Sequence, residues 1–258
     1  MTSIVFEIKN SIAFITLNRP EKYNAFNREM ALDLQEKLEQ CETNISVRCV
    51  CITGAGKAFS AGQDLAEVVR PEGPGMGTIL REQYNPIIQK IRNLSKPVLA
   101  AVNGVTAGAG ANIALCCDVV IAAESASFIQ AFSKIGLIPD SGGTFFLPRL
   151  IGFAKASAFM MLGDPISAKE AERTGMIYAC FPDKVFSREA GRIATELARL
   201  PTRALAFTKE ALNQSFQQSL DQQLVTEDLL QQKAAATNDF KEGVAAFIEK
   251  RKPEFKGD

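Results

Sequence analysis

Twenty residues, Lys96 to Leu115 (KPVLAAVNGVTAGAGANIAL), constrain the fold of this chain more than any other stretch. Val98 to Val102 is an unbroken apolar run of strand length, and Asn103-Gly104 is a turn pair. Ala107, Gly108, Ala109, Gly110 and Ala111 then carry almost no side chain before Ile113, Ala114 and Leu115 start a helical pattern. A strand that feeds a helix through bare backbone brings amide N–H groups close to whatever lies above it. The partial positive charge of a helix N-terminus favours an anion there. The same residues equally suit a packing contact in which small side chains relieve crowding. On this stretch alone both readings stand.

The surrounding pattern is that of an α/β chain. Ile4 to Lys9 and Ile12 to Leu17 read as a hairpin turning at Asn10-Ser11. Met30, Leu34, Leu38 and Cys41 share one face of a helix over 27–41. Val47–Thr53 and Asp118–Ala123 are apolar on nearly every residue, as strands covered on both faces are, and 127–130 is a short strand candidate. A glycine-rich loop spans 54–65, and 70–77 (RPEGPGMG) reads as a mobile flap before a helix over 78–93. Beyond a helix at 143–150 the pattern is almost purely helical, near 154–162, 167–174, 187–199, 202–215, 219–235 and 239–250, with one strand at 176–181. Ser167 and Glu170 have capping-box spacing. We divide the chain into an α/β core over 1–195 and a helical region over 196–258 of the kind that packs on a neighbouring subunit.

The most restrictive count is that of histidine, which is zero. Ser-His-Asp, Cys-His and His-ligated metal chemistry are thereby excluded, so acid–base work falls to carboxylates, Lys, Tyr, Cys or backbone donors. Six cysteines lack CxxC spacing and read as reduced core residues. Lys+Arg and Asp+Glu both number 29, which argues against nucleic acid or an anionic membrane as partner. MTSIVFEIKN is not a signal peptide and no apolar run reaches membrane-spanning length, so a cytoplasmic location is expected.

Several motifs fail on inspection. Gly56-Lys57 lacks the earlier glycine and the following Ser or Thr of a phosphate loop. Gly108-Ala-Gly110 has Ile113 where a dinucleotide fingerprint needs its third glycine. Ser141 has glycine on one side only and no histidine, so it is no nucleophile elbow. Tyr84 and Lys134 read as packing or surface residues, and KRKPEFK as a solvated basic end. Two glycine-flanked backbones remain, around Gln63 and around Ala109. If they converge, their N–H groups hold one oxygen that gains charge during reaction, each donor contributing roughly 3–4 kcal/mol. The acid–base candidate is Asp140, for which a helix N-cap is the competing role. Apolar neighbours such as Phe132 and Phe145 would raise its pKa by desolvation.

The runs LNRPEKYNAFN, GKAFSAGQDL, KPVLAAVNGVTAGAGANIALCCDVVIA, FSKIGLIPDSGGTFFLPRLIG, GMI and EGVAAFIEKRKPEF, in this order over essentially the whole chain, resemble the enoyl-CoA hydratase/isomerase (crotonase) superfamily. The resemblance implies a ClpP-like spiral of ββα units with a helical C-terminal trimerisation region. It also implies a homotrimer or dimer of trimers and an acyl-CoA thioester substrate. Coenzyme A would enter only as part of that substrate, with no other cofactor and no metal. Carried over by position, the oxyanion-hole amides fall on Gln63 and Ala109. Lys22 and Ala25, with Ala61, Asp64 and Leu65, match the segments that hold the CoA nucleotide and pantetheine, and Gly108, Phe132 and Phe145 complete the substrate-binding set. The family's hydratases use two glutamates; Asn112 and Phe132 stand at those positions here, whereas Asp140 stands where isomerases keep a single carboxylate. The wording of SAGQDL and AFSKIGLIPDSGGT is closest to the isomerase branch of phenylacetate degradation, which rearranges a ring epoxide. A hydratase, a straight-chain enoyl-CoA isomerase and a non-catalytic CoA-ester-binding member are the alternatives.

Overall fold

A computed structural model describes residues 2–69 and 73–258. The hairpin forms as expected: β1 (Ile4–Lys9) and β2 (Ile12–Leu17) are antiparallel, and Asn10 and Ser11, at φ 51° and 62°, supply the two left-handed residues that match a tight turn to strand twist. α1 (Arg28–Thr43) starts on Asn27, whose side chain accepts from the Met30 N–H, and it buries Met30, Leu34, Leu38 and Cys41.

The core then repeats one device. β3 (Cys49–Gly54) is followed by β4 (Ala58–Ser60), β5 (Val98–Val102) by β6 (Val105–Ala107), and β7 (Val119–Ala123) by β8 (Ser127–Ile129). With β9 (Ile166–Ser167) and β10 (Ala179–Phe181), they build a six-stranded sheet of order β1-β2-β3-β5-β7-β10 and a four-stranded sheet β4-β6-β8-β9. Each long strand thus hands the chain to the second sheet, which is the ββα spiral the resemblance implied. The three-residue strands β4 and β6 and the two-residue β9 had no local signal, because so short a strand is set by its partner rather than by its own pattern. The strand expected over 176–181 shrinks to β10.

In chain order α2 (Leu65–Val68), α3 (Met76–Ile79) and α4 (Asn85–Asn93) separate β4 from β5, and α5 (Ala109–Leu115), with all seven residues buried, separates β6 from β7. Of the flap expected at 70–77, residues 70–72 lie outside the described residues, and Met76 already opens α3. The helix expected over 78–93 is interrupted by a π turn, Leu80–Tyr84, in which the Asn85 N–H donates five residues back to Leu80. Pro86 accounts for it, since it offers no N–H and its ring crowds the carbonyl four residues earlier. α5 owes its depth to Gly110: a Cβ there would stand 2.7 Å from the Ser60 carbonyl oxygen on β4. Gly110→Ala is therefore expected to cost about 1–3 kcal/mol by overpacking. A urea midpoint unchanged from wild type would refute that contact.

α6 (Gly143–Ile151), α7 (Phe153–Leu162), α8 (Ala168–Arg173) and α9 (Asp183–Arg199) follow, α9 opening four residues earlier than its apolar pattern indicates. At α8 only half the capping box forms: Ser167 accepts from the Glu170 N–H, but the Glu170 carboxylate turns to Arg173, two bonds of 2.6 Å each. α10 (Thr202–Ser215), α11 (Leu220–Ala235) and α12 (Asn238–Glu249) complete the chain, and the full box opens α11, through Ser219 and Gln222. α10 is fastened to the core by Lys209, whose buried ammonium donates to Asp118 (2.8 Å) and to the Ile91 carbonyl (2.6 Å). The C-terminal end is solvated as expected, Lys250, Lys252 and Lys256 being exposed, but it is tied to the body rather than free. Arg48 donates to the Phe255 carbonyl, Lys256 and Gly257 N–H groups donate to Asp239, and Arg251 pairs with Glu242 and Glu249. Among the described residues, no helix is long and apolar enough to cross a membrane.

Candidate active site

The two glycine-flanked backbones do converge. The segment after β4 lies alongside the loop after the Pro20–Lys22 turn: Ala61 N–H donates to the Tyr23 carbonyl, and Gln63 forms a parallel bridge with Phe26. In that bridge Phe26 donates to Gly62 (2.6 Å) and accepts from the Asp64 N–H (2.8 Å). The N–H of Gln63 itself therefore points away from Phe26. Gly62, at φ +87°, lies against the start of α5; a Cβ on it would be 2.8 Å from the Ala107 oxygen and 3.3 Å from the Ala109 nitrogen. Ala109 is the first residue of α5, where a helix leaves an N–H without an intrahelical partner.

Gln63 and Ala109 line one cavity of about 190 Å³, and Asp140 lines it too. Gly108, Phe132, Ala61 and Leu65 also border it. Met76, Ile79, Ala131, Ile135 and Leu137 give it an apolar wall, to which Tyr84 and Lys134 add polar groups. Asp140 does not cap α6. Its backbone carbonyl, not its carboxylate, accepts the Gly143 N–H, and Gly142 is the N-cap. The carboxylate is left for the cavity, accepting from Ser141 Oγ at 2.8 Å. Burial pushes the Asp140 carboxyl above the ordinary carboxylate range, against the opposing effect of the Ser141 hydroxyl.

Asn112, one turn into α5, does not border the cavity. Its Nδ2 donates to the Asp140 carbonyl and its Oδ1 accepts from Gln130 Nε2, both at 2.8 Å. Helix α5 thus fixes the loop that carries the carboxylate.

Four predicted residues lie off the cavity. Phe145 is turned away, edge-on to Phe146 and Phe216 with the Arg149 guanidinium 3.8 Å above its ring. The helical turn places Phe145 toward α10, so the desolvation of Asp140 comes from Phe132 and other walls. Lys22, Ala25 and Asp64 gather outside, where Arg19 donates to both the Ala25 carbonyl and the Asp64 carboxylate (2.9 Å). Partial burial works against the charge of Asp64, but the Arg19 and Ala66 donors, with the charges of Arg19 and Lys22, hold its pKa below the ordinary value.

Tyr84 is the site residue that the sequence reading left as a packing group. It is buried, borders the cavity, and donates to Gln63 Oε1 at 2.8 Å. Lys134 is exposed as expected, yet it stands at the cavity wall. No local signal marks Tyr84, because its partner lies 21 residues away.

The profile of the enoyl-CoA hydratase/isomerase family matches residues 7–258. The chain is 45% identical to the 1,2-epoxyphenylacetyl-CoA isomerase of Escherichia coli K12, covering 100% of this chain and 99% of that one. It is 46% identical to a Rhodobacter capsulatus protein carrying an enoyl-CoA hydratase name, over 99% of this chain and 98% of the relative. A crystal structure from Mycobacterium abscessus, described as an enoyl-CoA hydratase/isomerase, superposes with a TM-score of 0.94 at 36% identity, covering 99% of this chain and 100% of that one.

Proposed function

Since the chain belongs to the enoyl-CoA hydratase/isomerase family, we propose that this enzyme is an acyl-CoA isomerase working through a thioester enolate. One observation carries the reading: among the described residues, Asp140 is the only carboxylate bordering the cavity that Gln63 and Ala109 share. A single base suffices to move a double bond. Asp140 takes the proton from the carbon beside the thioester carbonyl, and the C–H pair passes into the enolate, whose oxygen accepts from the Gln63 and Ala109 N–H groups. The enolate pair then returns as the new C2=C3 bond while the old π pair takes the proton from Asp140 at C4. A carboxyl with a raised pKa holds that proton readily between the two steps. The reaction needs nothing beyond the CoA carried by its own substrate.

The cavity volume of about 190 Å³ favours a short or single-ring acyl group, since a void of about 150 Å³ accepts benzene. With the similarity to the epoxyphenylacetyl-CoA isomerase, this supports rearrangement of 1,2-epoxyphenylacetyl-CoA to the oxepin thioester in phenylacetate degradation. Lys22, Ala25 and Asp64 would meet the CoA at the mouth. The similarity to the hydratase-named relative favours hydration as the second reading. Assays on epoxyphenylacetyl-CoA, a straight-chain 3-enoyl-CoA and crotonyl-CoA separate them: isomerisation should dominate, and crotonyl-CoA hydration faster than either isomerisation would overturn the proposal.

Residues 196–258 serve assembly in this reading. They expose Leu220, Leu229, Phe247 and Ile248, and Leu212 and Leu224 line an open groove of about 640 Å³ between α10 and α11. Patches of this kind are covered in assemblies. Sedimentation at micromolar concentration should give a homotrimer or dimer of trimers; a monomer there would refute it.

A further inference from the structure

We infer that Tyr84 is a positioning residue for the oxyanion hole, holding the Gln63 peptide in place through its hydroxyl. The inference rests on the enolate reading above and adds a residue to it.

Gln63 sits in a segment with no helix of its own and is gripped from two sides. On one side Phe26 binds the peptide groups flanking it, through Gly62 and Asp64. On the other, the Gln63 side chain is the tether: Oε1 accepts from Tyr84, while Nε2 donates to the Asp64 carbonyl at 3.3 Å. The two grips are joined, because the Tyr84 ring lies edge-on to Phe26 at a centroid distance of 6.0 Å. Tyr84 is the last residue of the π turn that Pro86 imposes, an irregularity frequent at functional sites. Burial, together with the nearby charges of Asp140, Glu67 and Asp64, pushes its phenol well above the ordinary value, so the hydroxyl keeps its proton and stays a donor. With that hydroxyl removed, Gln63 Oε1 loses a hydrogen-bond donor and the side-chain tether of its peptide is broken. An oxyanion donor acts only where its N–H meets the developing charge, so small displacements are costly.

The test is a double-mutant cycle read by exchange of the acyl α-proton of phenylacetyl-CoA in D2O, followed by mass spectrometry. Tyr84→Phe retains the ring against Phe26 and removes only the hydroxyl. Gln63→Met retains the peptide N–H and removes the acceptor. Each should lower kcat for exchange about 10- to 100-fold with KM changed less than about 3-fold, and the double variant should be no slower than Gln63→Met. The acid limb of the pH profile should stay where Asp140 sets it. Equal slowing by Tyr84→Phe in wild-type and Gln63→Met backgrounds would overturn the inference, as would a Tyr84→Phe enzyme as fast as wild type. Either result leaves the proposed reaction standing provided that Asp140→Asn slows exchange by about 10³-fold; an Asp140→Asn enzyme within about tenfold of wild type overturns the reaction itself.

Discussion

Asp140→Asn should lower kcat for isomerisation by about 10³-fold, in the middle of the range for loss of a positioned acid–base group. Thioester binding should persist, because asparagine fills the same volume and can accept from Ser141 as the carboxylate does. The wild-type rate should fall on the acid side as the carboxylate takes up its proton. Burial places that fall above the ordinary carboxylate range. Stability should move the opposite way. A carboxyl whose folded pKa is raised binds its proton more tightly in the folded chain, so its contribution is present below the unfolded pKa and is lost as pH rises through the folded pKa. At neutral pH the ionised Asp140 therefore weighs on the fold, and Asp140→Asn should melt higher than wild type, with the gap closing in acid. A variant that retains a tenth of wild-type turnover, or melts lower at neutral pH, would contradict this account.

Asp118→Asn should be among the most damaging changes outside the cavity. The carboxylate accepts from Arg92 (3.0 Å), Lys209 (2.8 Å) and the Val98 N–H (2.8 Å), joining α4, β5 and α10 at one point. Lys209 is buried, and burial lowers its pKa against the pull of Asp118. Without the carboxylate two cations face each other with no counter-charge, which costs about 3–5 kcal/mol when one partner of a buried pair is removed. Urea unfolding should show that loss, and Lys209→Met added to Asp118→Asn should recover part of it. No recovery would mean that the Lys209 charge is not the burden.

The long apolar strands and the amphipathic helices were legible because each carries its own periodicity, as Met30, Leu34, Leu38 and Cys41 show on α1. The two glycine-flanked backbones around Gln63 and Ala109 were legible as a pair, but not their convergence on one cavity, since small residues after a buried strand equally suit a packing contact. What the sequence did not yield depends on distant partners. β4 and β6 exist through pairing with each other, and Tyr84 matters through Gln63. Phe145 misled because its spacing after Asp140 does not say which way the first turn of α6 faces. Asp140 itself was ambiguous for a physical reason: a cap and a base share the same neighbourhood, and only the Gly143 N–H, which chose the backbone carbonyl, separates them.

The bond from Asn112 to the Asp140 carbonyl bears on how chains of this kind change trades. A glutamate at 112 would be the first step toward two-carboxylate chemistry. It would also set an acceptor against the oxygen that Asn112 now holds, and it would leave Gln130 to find a new partner. In the enolate reading, that substitution removes the donor holding the Asp140 loop before a second carboxylate has a partner. On that reading the one- and two-carboxylate arrangements are close in sequence, but the loop after Leu137 must be held anew before the second can replace the first.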